Sequence, residues 1–388
     1  MIQKRKLCFF CSVSSLSTGM PISTYKLIEG FSRKETYRVC VILPSEGEFQ
    51  RKLAELPVDL QIIPFSRFRL SPRNFMKFIK TYLKAGWVLC GFFKQNGIEV
   101  VHFSDILDIP FFPWARLAGA ESIAHVRFNF GNRIVRFLMR KWTLLFCSRI
   151  ICISRYVMSY YGFKSEKCRV VYNAGPDRSL FSTEKTGPIK DLVPKGKTVV
   201  LAIAALRSVK GHHYFLDIAR MVKDALGDKV HFVIAGGKLD GHESYYARIL
   251  QQAQDSGLEK QLVITGNVPH ETIPSIIASS DILIHVPAYQ EGLGGVVLEA
   301  MAMKVPVVAF DSGGVKECFR DGESGFLVPQ FDCRAAADRV IDLIRNPELH
   351  KATVRNAVRD LDRRFTYERN LGSVQKVYDE VFRNPEKE

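Results

Sequence analysis

Residues 281–302 read DILIHVPAYQEGLGGVVLEAMA, and this stretch decides the predicted fold. The apolar run at 282–285 predicts a short buried strand, and residues 293–303 predict a helix with three glycines at its mouth. Glycines at such a turn let a ligand approach the backbone, and the free N–H groups of the first helical turn favour an anion such as a diphosphate. The stretch therefore predicts a parallel α/β unit with an anion-binding helix start.

Short apolar strands alternate with helical stretches along the whole chain, which is typical of α/β layers. The chain has 388 residues, enough for two such domains. We predict an N-terminal Rossmann-like domain over 1–175, a linker over 176–197, a C-terminal Rossmann-like domain over 198–365, and a helix over 366–388 that packs back on the N-terminal domain. Two domains joined by a hinge place a cleft between them, where ligands bind beyond the carboxyl ends of the strands.

The predicted elements follow from apolar periodicity in each half. In the first half, strands are predicted at 7–13, 38–43, 98–103, 122–126, 150–153 and 168–172, with helices at 20–33, 73–94, 109–119 and 132–147. In the second half, strands are predicted at 198–204, 230–235, 262–265, 282–285, 307–309 and 325–328, with helices at 211–226, 243–257, 293–303 and through most of 334–384.

Two glutamates flank the glycines. Glu291 precedes them and is expected to face the cleft, whereas Glu299 lies about a turn into the helix, where acidic residues accept hydrogen bonds from ribose hydroxyls. A glycine-rich turn alone is weak evidence, because strand-to-helix turns often contain glycine. Two glutamates eight positions apart around Gly-Gly, followed by VPVVA at 305–309 and SGG at 312–314, form a more specific pattern.

The segment 291–329 resembles the donor-binding region of glycosyltransferase family 4, with EGLGGVVLE, PVVAFDSGG and GESGFLVP in order. The resemblance continues upstream through LRSVKG at 206–211, IAGG at 234–237 and GNVP at 266–269, and more loosely into the first half. It implies the GT-B fold, two Rossmann-like domains facing each other across a cleft. It also implies transfer of a hexosyl group, with retention, from a nucleotide-diphosphate sugar to a hydroxyl acceptor, in cell-surface polysaccharide, lipopolysaccharide or glycolipid biosynthesis.

The resemblance implies the site residues as well. Glu291, toward the donor sugar, and His125, at the end of a strand, are the implied catalytic residues. The implied donor-binding residues are Arg207, Lys210, Gly294, Gly295, Val296, Glu299 and Gly19. Arg207 and Lys210 would bind the diphosphate, since a guanidinium and an ammonium both suit phosphate. The family usually has a small residue, often glycine, where this chain has Lys304.

The positive charge of the chain is concentrated in its first half. Residues 1–180 carry 28 Lys and Arg against 12 Asp and Glu, a net +16, whereas residues 181–388 carry 27 against 28. This asymmetry predicts an anionic partner for the N-terminal domain. Residues 65–94 and 127–149 interleave aromatic and basic residues, which suits an anionic membrane surface. The alternative is that the aromatics face the core of the domain and the lysines are only solvated.

Cysteine usage favours a reducing compartment. The nine cysteines are an odd number in a long chain, which argues against a secreted disulfide framework. The run KRKLCFFC at 4–11 is interpreted as a first buried strand rather than a signal peptide, because serines interrupt it early. We therefore expect a cytoplasmic protein, peripheral on the inner face of the cytoplasmic membrane, with a carbohydrate or lipid-linked acceptor.

No metal or other cofactor is expected beyond the donor substrate. The D-x-D at 360–362 lies in a charged helical segment and is interpreted as part of a solvated helix face. Positive groups at the donor site would then neutralise the leaving diphosphate. Two alternatives stay open: a nucleotide-sugar epimerase or phosphorylase on the same fold, and a basic nucleic-acid-binding protein. The chain has no recognisable nucleic-acid module, so we expect no nucleic-acid partner.

Overall fold

The computed structural model describes residues 4–15, 19–65, 75–190, 192 and 194–382, without the side chains of 75–78 and 80. The chain divides into two compact units. The first comprises Met1–Ala174 and Tyr367–Glu388, and the second comprises Gly175–Thr366. The chain therefore enters the second unit once and returns to the first at its C-terminal end.

Within the described residues, the first unit forms a seven-stranded parallel sheet in the order β3-β2-β1-β4-β5-β6-β7. The strands are β1 (Arg5–Phe10), β2 (Tyr37–Leu43), β3 (Asp59–Ile62), β4 (Val100–Phe103), β5 (Glu121–Val126), β6 (Arg149–Cys152) and β7 (Cys168–Val170). The helices are α1 (Gly19–Ser32), α2 (Glu48–Leu53), α3 (Phe75–Asn96), α4 (Phe112–Leu117), α5 (Arg133–Phe146) and α6 (Arg155–Tyr161), and the C-terminal α13 (Tyr367–Phe382) completes the unit.

The described part of the second unit forms a six-stranded parallel sheet in the order β10-β9-β8-β11-β12-β13. Its strands are β8 (Thr198–Ile203), β9 (Val230–Ala235), β10 (Leu262–Ile264), β11 (Ile282–His285), β12 (Val307–Phe310) and β13 (Phe326–Val328). Its helices are α7 (His212–Leu226), α8 (Glu243–Asp255), α9 (Ile273–Ala278), α10 (Gly295–Ala302), α11 (Cys333–Arg345) and α12 (Pro347–Arg364). This is the doubly wound order in which ligands bind where the strand order reverses, here between β8 and β11.

The prediction of two Rossmann-like α/β domains is confirmed. Most predicted strands are observed within a few residues of their predicted bounds, because buried parallel strands are continuous apolar runs. The helix predicted at 109–119 is a three-ten turn over Ile106–Phe111 followed by α4. Pro110 lies inside that turn and cannot donate a backbone hydrogen bond.

Two other assignments differ from the structure. The helix predicted from 293 begins at Gly295, because Gly294 has a φ of 105° and stands outside the helix as its N-cap. Asp360 is not on a solvated face but is buried, and it accepts hydrogen bonds from Arg320 Nε at 3.0 Å and Ser324 Oγ at 2.6 Å. Asp362 does lie near the surface, 3.8 Å from Arg178.

The segment at 176–197 belongs to the second unit. Phe181 is buried, with its ring centroid 5.7 Å from that of His270, and Ile189 N donates to Ser279 Oγ at 2.7 Å. All nine cysteines lie in described residues and are free thiols. No helix in the described parts of the chain combines the length and the apolar character that a membrane crossing requires.

Candidate active site

The second unit contains a cavity of about 180 Å³ at the carboxyl ends of β8 and β11. This is the point where the strand order of the sheet reverses, the usual ligand position in a doubly wound fold. The cavity is lined by backbone from both strand ends, by the turn into α7, and by the start of α10. Five predicted site residues contribute to its wall: Lys210, Glu291, Gly294, Gly295 and Val296.

Lys210 and Glu291 form an ion pair at the wall of this cavity. Lys210 Nζ lies 2.9 Å from Glu291 Oε1 and donates a second hydrogen bond, also of 2.9 Å, to the hydroxyl of Tyr289. Burial alone would raise the pKa of Glu291, but Lys210, His285 and Tyr289 outweigh it and leave that pKa below its ordinary value. Burial likewise lowers the pKa of Lys210, and Glu291 more than compensates. Both groups are therefore charged at neutral pH.

His285 ends β11 beside this ion pair. Its Nε2 is 3.9 Å from Glu291 Oε1, too far for a hydrogen bond, and it has no partner among the described residues. Burial lowers the pKa of His285 to about 4, with Lys210 adding to the effect and Glu291 opposing it. The imidazole is thus neutral at pH 7. Since a buried polar atom without a partner is costly, Nε2 is well placed to bind a ligand.

Glycines shape the backbone around the cavity. A Cβ on Gly211 would meet Val286 O at 1.8 Å, so only glycine allows the turn into α7 to approach β11 this closely. At Gly295 a Cβ would meet no atom within 4 Å, because the first residue of α10 borders open space. The N–H groups of that first helical turn therefore have room for an anion.

Two predicted donor-binding residues of this unit do not line the cavity. Arg207 is exposed in the loop after β8. Glu299 lies in α10, with Oε1 4.0 Å from His270 Nε2. The structure thus places Lys210, but not Arg207, next to the glycine-lined helix start.

The other two predicted residues, His125 and Gly19, belong to the first unit. Gly19 begins α1, and a Cβ there would meet nothing within 4 Å; its neighbours at 16–18 lie outside the described residues. His125 is fully buried on β5, with Nδ1 3.1 Å from both Arg127 Nη2 and His102 Nε2. The described residues contain no cluster of three His, Cys, Asp or Glu side chains suited to a metal ion.

Sequence reasoning missed His285 and Tyr289, although both are close to residues it selected. His285 ends an apolar strand, and a histidine in such a position is usually interpreted as a core residue. Its position at the carboxyl end of β11, six residues before Glu291, was the available signal. Tyr289 stands in the loop between them, and burial together with Glu291 raises its pKa to about 12, so it is a neutral hydroxyl.

Two family descriptions match the chain, one for each unit. "Glycosyltransferase Family 4" matches residues 17–174, and "Glycosyl transferases group 1" matches residues 184–360. The two matches together define a glycosyltransferase, and solved glycosyltransferases of the GT-B class share its fold. The chain belongs to glycosyltransferase family 4.

Individual relatives agree with this membership. An alpha-D-kanosaminyltransferase of Streptomyces kanamyceticus is 35% identical over 161 residues, 42% of this chain and 40% of that protein. An N,N'-diacetylbacillosaminyl-diphospho-undecaprenol alpha-1,3-N-acetylgalactosaminyltransferase of Campylobacter jejuni is 25% identical over 370 residues, 89% of this chain and 92% of that protein. The chain spans about two fifths of the length of relatives such as the first.

Among solved structures, HepE of Anabaena in complex with UDP superposes with a TM-score of 0.81 at 19% identity. The alignment covers 97% of this chain and 100% of that one. At this identity the likeness shows that the two proteins share a fold.

Proposed function

We propose that the protein transfers a hexosyl group from a nucleotide-diphosphate sugar to a hydroxyl acceptor, with retention of anomeric configuration. The observation that carries this proposal is the Lys210–Glu291 ion pair at a cavity that also contains the start of α10. An ammonium and free helix N–H groups suit a diphosphate, and the adjacent carboxylate suits the hydroxyls of a sugar.

The reaction breaks the bond between the anomeric carbon and the donor diphosphate and forms a bond from that carbon to the acceptor oxygen. The acceptor hydroxyl loses its proton, and the nucleoside diphosphate leaves with the electron pair of the broken bond. Negative charge therefore develops on the diphosphate, where Lys210 would stabilise it. Glu291 would orient the sugar, and Glu299 would accept hydrogen bonds from the ribose.

Relatives support a sugar donor of this class. The Campylobacter relative is named as an N-acetylgalactosaminyltransferase that acts on a diphospho-undecaprenol-linked sugar, and the Anabaena structure contains UDP. We propose for this chain a nucleotide-sugar donor and a carbohydrate or lipid-linked acceptor, in the synthesis of a cell-surface polysaccharide or glycolipid.

The donor proposal is tested by thermal shift of the full chain with UDP-, GDP- and ADP-sugars, because a ligand that binds the folded state raises its apparent stability. We expect one base to raise the melting temperature and Lys210→Met to abolish that rise. Lys351→Met is the matched control, since Lys351 forms an exposed ion pair with Glu348 on α12, away from the cavity. No shift with any nucleotide sugar would overturn the proposal.

Product analysis separates the alternatives. A transferase forms a new glycoside with the acceptor, and retention predicts that the product keeps the donor's anomeric configuration by NMR. A phosphorylase would instead release a sugar phosphate in the presence of inorganic phosphate, and an epimerase would return an isomeric nucleotide sugar. We also propose that transfer needs no metal, so activity should persist in EDTA; loss of activity that added Mg²⁺ or Mn²⁺ restores would contradict this.

A surface of the first unit supports a membrane location. Three of its helices expose large apolar side chains, here called the apolar face: Leu83, Trp87 and Val88 of α3, Leu117 of α4, and Ile134, Phe137, Leu138, Trp142 and Leu145 of α5. Trp87 is 69% exposed and Ile134 is 71% exposed. Soluble proteins rarely expose so many large apolar residues together unless the surface binds a partner.

The three helices are neighbours and carry only positive charge. The ring centroids of Trp87 in α3 and Trp114 in α4 are 5.4 Å apart, and Arg116 in α4 donates to Leu145 O in α5 at 3.1 Å. None of the three helices contains an acidic residue. Apolar side chains among lysines and arginines suit an anionic bilayer, so we propose that this face binds the inner surface of the cytoplasmic membrane, where a lipid-linked acceptor would lie.

The aromatic residues of the two predicted stretches divide between this face and the core. Phe65 and Phe93 are buried in the core, as expected if the aromatics only pack inside the domain. Trp87, Phe137 and Trp142 are exposed. Phe68 and the side chains of residues 75 and 78 lie outside the described residues.

Vesicle flotation tests this location. Vesicles of phosphatidylcholine with phosphatidylglycerol should bind the protein, and binding should weaken as salt rises. The double variant Trp87→Ser/Ile134→Ser should lose binding, whereas Leu250→Ser, at a site 45% exposed on α8, should keep it. Absence of binding to anionic vesicles at low salt would overturn the proposal; salt-dependent binding to DNA instead would favour the nucleic-acid alternative.

A further inference from the structure

Four buried side chains of the first unit form a continuous hydrogen-bond network. The hydroxyl of Tyr378, in the C-terminal helix α13, lies 2.8 Å from His102 Nδ1 on β4. His102 Nε2 lies 3.1 Å from His125 Nδ1 on β5, and Arg127 Nη2 lies 3.1 Å from that same Nδ1. Tyr378, His102 and His125 are fully buried, and Arg127 is nearly so.

The guanidinium fixes every proton in this network. An arginine can only donate, so His125 Nδ1 must accept from Arg127 and cannot carry a proton. His102 Nε2, facing the same Nδ1, must then be a donor. Because a neutral imidazole has one proton, His102 Nδ1 is left as an acceptor, and Tyr378 donates to it. One arrangement of protons therefore fits all three contacts, with the single lone pair of His125 Nδ1 shared by the N–H groups of Arg127 and His102.

Both imidazoles are neutral in this environment. Burial lowers the pKa of His102 to about 3, and Arg127 adds to this effect. Burial, Arg127 and His102 together lower the pKa of His125 well below its ordinary value. A neutral His125 whose Nδ1 accepts hydrogen bonds must carry its single proton on Nε2.

That Nε2–H group has no hydrogen-bond partner among the described residues, although it is buried. Buried donors without a partner are rare in folded proteins and reduce stability. Every nitrogen of Arg127 does have a partner, because besides His125 it donates to Ser104 O, Ser23 Oγ and Asn173 Oδ1, at 3.1, 2.6 and 3.1 Å. The unpartnered nitrogen of this network therefore belongs to His125, one of the two residues that the family resemblance implies to be catalytic.

We propose that Tyr378, His102 and Arg127 are positioning residues that hold His125 as the neutral tautomer with its proton on Nε2, so that it donates a hydrogen bond to an oxygen of the bound substrate. Tyr378, in the C-terminal helix, is thereby linked to the ring of His125 through His102. The identity of the substrate rests on the proposed function, whereas the tautomer of His125 rests only on the hydrogen bonds of the network.

The tautomer is measured by NMR on the full chain with ¹⁵N-labelled histidine, where a protonated and an unprotonated ring nitrogen have well-separated shifts. We expect His125, assigned by comparison with His125→Gln, to show an unprotonated Nδ1 and a protonated Nε2 between pH 6 and 8. A proton on His125 Nδ1 would overturn the proposal, whatever the activity of the enzyme.

Two variants test the positioning role. Tyr378→Phe keeps the ring and removes only the hydroxyl, and His102→Phe removes the donor to His125, whereas His102→Gln retains an N–H donor. We expect Tyr378→Phe and His102→Phe to give a mixture of His125 tautomers. Each should also lower kcat roughly two- to tenfold, which is the effect of one hydrogen bond. His102→Gln should lose less kcat than His102→Phe. Tyr245→Phe, which removes a comparable hydroxyl 3.0 Å from His213 Nδ1 in the second unit, is the matched control.

The outcomes separate this proposal from the proposed function. Unchanged tautomers and unchanged kcat in both Tyr378→Phe and His102→Phe would overturn the positioning role while leaving transfer intact. A chain without transferase activity but with the expected tautomers would overturn the proposed function and leave the network as described.

Discussion

In the second unit a partly buried ammonium donates directly to a carboxylate, whereas in the first unit a buried guanidinium donates to neutral acceptors and has the carboxylate of Asp105 near enough to act on it through its charge. Lys210 donates to Glu291 Oε1 at 2.9 Å. Arg127 donates to Ser104 O, Asn173 Oδ1 and His125 Nδ1, at 3.1 Å in each case. Burial lowers the pKa of Arg127 to about 10, but the guanidinium still keeps its proton at neutral pH.

This difference indicates different roles. In the second unit the charges are set before a ligand arrives, and a diphosphate would compete with Glu291 for the Lys210 ammonium. In the first unit Arg127 donates to an imidazole nitrogen, and its effect is to decide where the imidazole protons lie. The role of the Lys210–Glu291 pair should therefore depend on charge, whereas the role of His125 should depend on the direction of its hydrogen bonds.

The largest expected effect comes from breaking the ion pair. Lys210→Met should lower kcat/KM at least about 100-fold, because it removes the positive charge that we propose stabilises the leaving diphosphate. Glu291→Gln should cost a similar factor while keeping the shape of the side chain. Steady-state kinetics with the nucleotide sugar identified by thermal shift measures both. Near-wild-type turnover in either variant would refute the assigned role.

The double variant Lys210→Met/Glu291→Gln shows whether charge is the cause. Each single change leaves one partly buried charge without its partner, which destabilises the fold, whereas the double change removes both charges. We expect the double variant to recover part of the free energy of unfolding lost in the single variants, with no recovery of activity. Additive losses in stability would show that the two groups are not coupled.

Acidification should destabilise both units through their neutral histidines. The folded-state pKa is about 3 for His102 and about 4 for His285, below the ordinary value of 6.5. Between pH 6.5 and 4 the unfolded chain binds protons that the folded chain does not, so the free energy of unfolding falls as pH falls. Stability from these groups is fully present above pH 6.5 and is lost by the time pH passes the folded-state values.

Denaturant unfolding between pH 7 and 4 measures this loss. The groups that face His285 are Lys210 and Glu291, and those that face His102 are Arg127, His125 and Tyr378. His285→Gln should reduce the slope of stability against pH, because one depressed pKa is removed. An identical slope in wild type and variant would show that His285 is not neutral in the folded state.

The fold was predictable from the sequence wherever strands are buried on both faces. β9 and β11 have the predicted bounds, since VHFVIA and ILIH are nearly continuous apolar runs. β3 was missed because DLQI is a short edge strand whose side chains are largely exposed, so no apolar pattern distinguishes it from a loop.

The site was predictable only where residues are close in sequence. Lys210, Glu291 and the glycines stand in local motifs that follow strands. Tyr378 is 276 positions from its hydrogen-bond partner His102, and no local pattern can indicate that contact. The orientation of Arg127 toward His125, which sets the tautomer, likewise depends on how β5 ends and not on residue type.

The smallest expected effect concerns Lys304, which belongs neither to the Lys210–Glu291 ion pair nor to the hydrogen-bond network of His125. Lys304 follows α10 with a φ of 61°, in the left-handed region that glycine adopts without strain. This conformation explains why the family usually has a small residue there. Because the left-handed region costs a residue with a Cβ about 1–2 kcal/mol, and glycine loses more backbone entropy on folding, Lys304→Gly should raise the free energy of unfolding by about 0.5–1 kcal/mol.

Chemical denaturation measures that gain, and Lys304→Ala provides the control because it shortens the side chain but keeps the Cβ. We expect the alanine variant to match wild type within about 0.5 kcal/mol, as surface substitutions usually do. If alanine stabilises as much as glycine, the removed charge and not the backbone is responsible. We also expect Lys304→Gly to leave kcat/KM unchanged. The substitutions of Lys210 and Glu291, near the other end of α10, should in contrast lower activity.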